Sequence, residues 1–167
     1  DRIAQVRKKA GIGESFLSFA SSMVSRITNQ SFVTLFMTWG AVQELTTHEG
    51  YLRLRESTQN PVLAELCKRI AKQERMHFSW YYNNAKKRLE ASPSQQKFVR
   101  QMLKWFWTPV GAGVKPDTDV AKLFATLFPG THGMALCQTV DQKISELPGL
   151  AGLEIMNNYL TGLNRKG

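Results

Sequence analysis

Apolar residues recur three and four apart along most of the chain, and no stretch shows convincing strand-like alternation or a hairpin signal. This periodicity predicts an all-α fold. Residues 1–10 read as the tail of a helix stopped near Gly11 and Gly13, and a second helix runs from about Glu14 to Thr28. Ser31 is placed to cap a third helix, which continues to about Ser57 through Gly40 and Gly50. Asn60-Pro61 opens a fourth: the Asn side chain can accept from free backbone N–H groups, and Pro is preset for the first helical position. That helix runs to about Glu90. Ser92-Pro93 opens a fifth in the same way, ending near Thr108-Pro109. Gly111, Gly113 and Pro116 mark a loop, Asp117 or Thr118 starts a short helix to Phe128, and Pro129-Gly130 ends it. A further helix covers about Gly133 to Glu146, and Pro148 precedes the last, to about Leu163.

Two of these helices carry carboxylates where the pattern calls for apolar side chains. The fourth has the stripe Leu63, Leu66, Cys67, Ile70, Glu74, His77, Tyr81. Residues three apart lie on one side of a helix, and a carboxylate facing a core is costly unless paired, neutralised or bound to metal. Glu-x-x-His pointing into a bundle is the half-site of di-iron and di-manganese carboxylate proteins, although it also arises by chance as a solvated pair. The third helix has the stripe Val33, Met37, Ala41, Glu44, His48, Tyr51. If the two helices turn back near residue 58, Glu44 lies about 14 residues from the turn and Glu74 about 16. At about 1.5 Å per residue the mismatch is only about 3 Å. Glu44, Glu74 and His77 are therefore expected in one layer, a donor set that suits iron while leaving positions open for dioxygen.

Other residues near this layer have two readings each. Thr47, three after Glu44, either relays a proton to bound oxygen or bonds back to a carbonyl one turn earlier. His48 is either a ligand or a satisfied core histidine, and His132 is a helix-start residue. The aromatic set Phe32, Phe36, Trp39, Phe78, Trp80, Tyr81 and Tyr82 is core, with part of it available to line a tunnel for an apolar chain.

Composition narrows the class. The 167 residues are 43% hydrophobic with nine Phe and four Trp, enough for one domain with a sizeable core. No apolar run approaches the roughly 18 residues of a membrane span, and the first residues lack a signal-peptide type of apolar stretch. The chain begins at Asp1 rather than Met, as a fragment or processed product does. Cys67 and Cys137 are far apart with no metal-type spacing, which fits a reducing cytoplasmic or plastid-like compartment. The net charge is +9, and Lys68, Arg69, Lys72, Arg75, Lys86, Lys87 and Arg88 crowd one helix. Such a surface favours an acidic partner or is simply solvated, and it carries no recognisable nucleic-acid reading motif.

Glu44-x-x-Thr47, then a loop with Asn60-Pro61, then Ala71-x-x-Glu74-x-x-His77 resembles the soluble acyl-acyl-carrier-protein desaturases. The likeness is most specific over residues 43–89, which look like the second helix pair of that family's ferritin-like bundle. It extends more weakly from about residue 30 through Leu147-Pro148 to Leu160. The resemblance implies two iron ions (Fe2+) held by four Glu and two His from four helices. Here Glu44 matches the lone Glu, Glu74 and His77 the motif, and Thr47 the Thr beside the oxygen site. It implies oxygen-dependent desaturation of a fatty acyl chain on an acidic acyl carrier protein, with electrons from a ferredoxin-type donor, in a homodimer. A related hydroxylation of a tethered substrate and a metal-free helical binding module are the alternatives. Plant members carry Asp just before the motif Glu, where this chain has Gln73. The chain has only three His and one Glu-x-x-His, and Glu14 has no such partner. Residues 1–167 are thus expected to be a single all-helical domain, the C-terminal portion of a larger ferritin-like domain. The other donors would lie in a missing N-terminal half or in a second chain, or the site would be a metal-free relic.

Overall fold

The computed structural model describes residues 29–164, so the expected helices over residues 1–10 and 14–28, and Glu14, lie outside the described residues. Six helices follow in order: α1 (Asn29–Ser57), α2 (Pro61–Glu90), α3 (Pro93–Phe106), α4 (Asp117–Leu127), α5 (Gly130–Ser145) and α6 (Ile155–Asn164). There is no strand among the described residues, only an isolated bridge between Ala112 and Lys115. The fold is an all-α helical bundle. No helix among the described residues is long and apolar enough to cross a membrane.

The two long helices form an antiparallel hairpin whose turn is set locally. Asn60 Oδ1 accepts from the backbone N–H of Val62 at 2.9 Å and of Leu63 at 3.2 Å, and Pro61 takes the first helical position. Ser92 caps α3 similarly through Gln95 N–H at 3.4 Å, again with Pro next. Ser31, expected as a cap, is instead buried inside α1, whose helical backbone already includes Asn29.

The hairpin seam alternates small residues with a few large ones. Cys67, Ala71, Phe78, Ala85 and Leu89 are the buried residues of α2, and Gly40 of α1 lies against the ring of Tyr81. A Cβ on Gly40 would meet Tyr81 Cδ1 and Cε1 at 2.6 Å, so the close approach needs glycine there. Gly40→Ala is expected to cost about 2 kcal/mol by overpacking, net of the helix propensity it gains. Urea unfolding measures this, and an unchanged midpoint would show that the ring simply swings aside. The buried face of α2 is rotated from the expected stripe: Leu66 is 51% exposed, and His77 is exposed too. Packing on α1 through residues 67, 71, 78 and 85 leaves 66 on the outside.

The short helices cover the other side of α1. Gln95 accepts a hydrogen bond from Thr34 Oγ1 at 2.6 Å, and Gln43 Nε2 donates to Thr108 O at 2.9 Å. α5 starts at Gly130 rather than Gly133, with Gly130 at φ 57°. α6 starts at Ile155, later than expected from Pro148. Between them Leu147, Leu150 and Leu153, all buried, descend in three-residue turns closed by N–H···O bonds of 3.0 Å each. Asp141 of α5 is buried and caps α6 from a distance: Oδ1 accepts from Ile155 N–H at 2.9 Å and Met156 N–H at 3.0 Å, and Oδ2 from Asn157 N–H at 2.9 Å. Burial pushes its carboxyl above the usual range, while these three N–H groups pull it back. Both cysteines are free and buried.

Candidate metal centre

Glu44 lies midway along α1, and Glu74 and His77 midway along α2, so the hairpin brings the three together. One ligand atom from each lies within 4.8 Å of the other two. His77 Nδ1 is 3.4 Å from Glu44 Oε2 and 3.6 Å from Glu74 Oε2. The Glu44 and Glu74 side chains are 22% and 18% exposed, that of His77 57%. The carboxylates are sunk at the lip of the seam and the imidazole stands open.

Burial is the main reason that the Glu44 carboxyl is raised to about 7; the neighbouring Glu74 carboxylate adds to it, and His77 works in the opposite direction. Among the described residues no Lys or Arg forms an ion pair with either glutamate. Two half-buried carboxylates and an imidazole that converge without a side-chain cation fit a divalent metal ion. Such an ion neutralises the like charges and takes the oxygen and imidazole donors on offer.

The other expected site residues fall out differently. Thr47 is half-buried one turn from Glu44, and its hydroxyl donates to Gln43 O, the back-bonding arrangement. His48 is buried in the seam with Nδ1 2.8 Å from Ala71 O, away from the donor cluster. His132 is exposed, 3.2 Å from Arg53 Nη1. Gln73 is exposed.

Sequence reasoning missed an apolar cavity of about 310 Å³ beside α1. Thr46, Thr47, Gly50, Tyr51 and Leu54 of α1 form one wall. Pro109 and Val110 of the α3–α4 loop, Val120, Leu123, Phe124 and Leu127 of α4, and Phe128 close the rest. None of the aromatic residues named as tunnel candidates lines it: Phe78 is in the core, and Phe36 and Trp80 are exposed. Its one sequence signal is Gly50, a small residue between polar and apolar positions of a long helix. Thr47 belongs both to the cavity wall and to the turn that follows Glu44.

Comparison with known proteins bears on this site. Searches of curated proteins and of solved structures found no match to the chain. A sequence model of a family described as fatty acid desaturase matches residues 17–124. The match takes in Glu44, Thr47, Glu74 and His77, the α1–α2 hairpin and α4 as far as Phe124, part of the cavity wall. With more than half of its 167 residues matched, the chain belongs to the fatty acid desaturase family.

Proposed function

We propose that this chain supplies half of a di-iron centre in an oxygen-dependent desaturase that introduces a double bond into a fatty acyl chain carried on an acidic acyl carrier protein. The observation that carries the reading is the convergence of Glu44, Glu74 and His77 at the lip of the hairpin, in a member of the fatty acid desaturase family. When bound, two iron ions supply the oxidising power that dioxygen brings to an unactivated C–H bond. The protein's own groups do the rest. Glu44 and Glu74 offer anionic oxygens and His77 a ring nitrogen. The apolar cavity holds the acyl chain and keeps water from it, and its wall reaches the site at Thr47. Thr47 Oγ1 has lone pairs left over while its hydrogen points to Gln43 O, so a proton relay through it requires that bond to open.

The remaining donors come from outside this chain segment. All three histidines are described: His77 is in the cluster, His48 is bonded to Ala71 O, and His132 sits beside Arg53. Arg53 is nine residues beyond Glu44, roughly 13 Å along α1. A second imidazole therefore has to be brought by another segment, which we place in a longer polypeptide rather than a second copy. More than half of the His77 side chain is open to receive it. The acidic carrier protein and a ferredoxin-type donor suit the exposed Lys72, Arg75, Lys86 and Lys87 of α2.

The test is product analysis with the full-length, iron-loaded protein, reduced ferredoxin, dioxygen and an acyl-acyl carrier protein. Mass spectrometry of the released acid is expected to show loss of two hydrogens. A gained oxygen atom would assign hydroxylation instead, and no oxidised product would sink the enzyme reading.

A further inference from the structure

His48 is a buried polar side chain that the proposed chemistry does not use. Its position is telling. It lies one turn after Glu44 on α1, and its bond partner Ala71 lies one turn before Glu74 on α2. A carbonyl oxygen only accepts, so the hydrogen is on Nδ1 and the imidazole donates across the seam. The bond joins a side chain of one helix to the backbone of the other, next to the layer in which the metal donors meet.

Elsewhere the seam interlocks through packing, chiefly through the Tyr81 ring against Gly40 and through the buried Phe78. Near His48, Ala71 presents a small surface, and Thr38 and Thr46 turn their hydroxyls back to carbonyls of their own helix. A slip by one residue moves a helix by about 1.5 Å, several times the few tenths of an ångström a metal site tolerates.

The geometry points to His48 as a positioning residue: its imidazole N–H, bonded to Ala71 O, holds α2 against α1 in the register that brings Glu44, Glu74 and His77 together. This rests on the metal reading above for its function, though not for its geometry. A merely space-filling core histidine would be replaced well by Leu and poorly by Asn. A donor that sets register behaves the other way, because the Asn amide nitrogen sits where Nδ1 does.

Two measurements on the full chain test this. Spin labels on Arg55→Cys and Lys86→Cys, both at exposed positions, report the α1–α2 register without metal, since Cys67 and Cys137 are buried and escape labelling. Titration with Co2+ reports the site through its affinity and visible spectrum. His48→Leu is expected to shift or broaden the distance distribution, alter the Co2+ spectrum and weaken binding about tenfold or more, while His48→Asn stays within about threefold of wild type. Should His48→Leu not fold, His48→Thr, which keeps polarity but cannot span the seam, carries the same expectations. A Leu variant with wild-type distances or wild-type Co2+ affinity overturns the proposal, as does an Asn variant as defective as Leu. A full-length wild-type protein, with every donor present, that binds no Co2+ overturns the metal reading itself, and the distances then still decide whether His48 sets the register.

Discussion

Glu74→Ala in the full-length protein is expected to abolish desaturase activity and to cut bound iron to about a tenth of wild type or less, since loss of one anionic ligand removes much of the affinity of such a site. The same change has an opposite effect on the metal-free protein. Burial holds the Glu44 carboxyl at about 7, above its ordinary value of 4.5, and Glu74 contributes to that rise. A group whose folded pKa is raised binds more protons in the native state. The stability that Glu44 contributes to the metal-free protein is therefore lost as pH rises from about 4.5 through about 7, and this contribution changes no further above that. Taking Glu74 away relieves the like-charge contact, so the variant is expected to be at least as stable as wild type at pH 8 and to show a weaker pH dependence. Metal has to displace the proton on Glu44. Wild-type affinity for Co2+ should fall by roughly tenfold per pH unit below 7. Metal analysis, Co2+ titration at pH 6, 7 and 8, and thermal unfolding without metal together check this. Full iron occupancy in Glu74→Ala would remove Glu74 from the site.

The second large effect lies far from the metal donors. Asp141→Ala is expected to cost about 3 kcal/mol or more, because three N–H groups at the start of α6 lose a buried carboxylate at once. Asp141→Asn, which keeps one oxygen acceptor, should recover roughly half of that loss. Denaturant unfolding of both variants measures it, and a Δ stability below about 1 kcal/mol for Asp141→Ala would show that water replaces the cap. The loss reaches the cavity as well. Met156 is fully buried with its sulfur 3.4 Å from Thr46 Oγ1, and Tyr159 packs edge-on against Phe124, a cavity wall, with centroids 5.0 Å apart. Frayed α6 leaves that wall unsupported, so acyl binding is expected to weaken even where the protein remains folded.

The candidate site was more legible in the chain than the parts that support it. Asn60-Pro61 and Ser92-Pro93 announce their helices because capping is chemistry between close neighbours in sequence. The level placement of Glu44 and Glu74 followed from counting residues back from one short turn. The exposure of His77 and Leu66 did not, because a stripe shows which positions share a side of a helix but not how the helix is rotated against its partner. Asp141 went unnoticed, since its partners lie 14 to 16 residues on and no local pattern links them. The descent through Leu147, Leu150 and Leu153 has a period of three, which is neither helix nor strand, and a helix was expected over part of it. The cavity depends on α4 folding against α1, a contact no window of sequence contains.

The seclusion of the two thiols bears on how long such a protein lasts. Burial, and then Asp141, push the Cys137 thiol to about 12. At pH 7 the reactive thiolate is then about one molecule in 10⁵. A catalyst that activates dioxygen leaks peroxide whenever substrate is late, and peroxide attacks thiolates first. In the oxygen-activating enzyme proposed above, the burial of Cys67 and Cys137 would spare both thiols, and the sulfur within reach of stray peroxide would be the exposed thioether of Met76, next to His77.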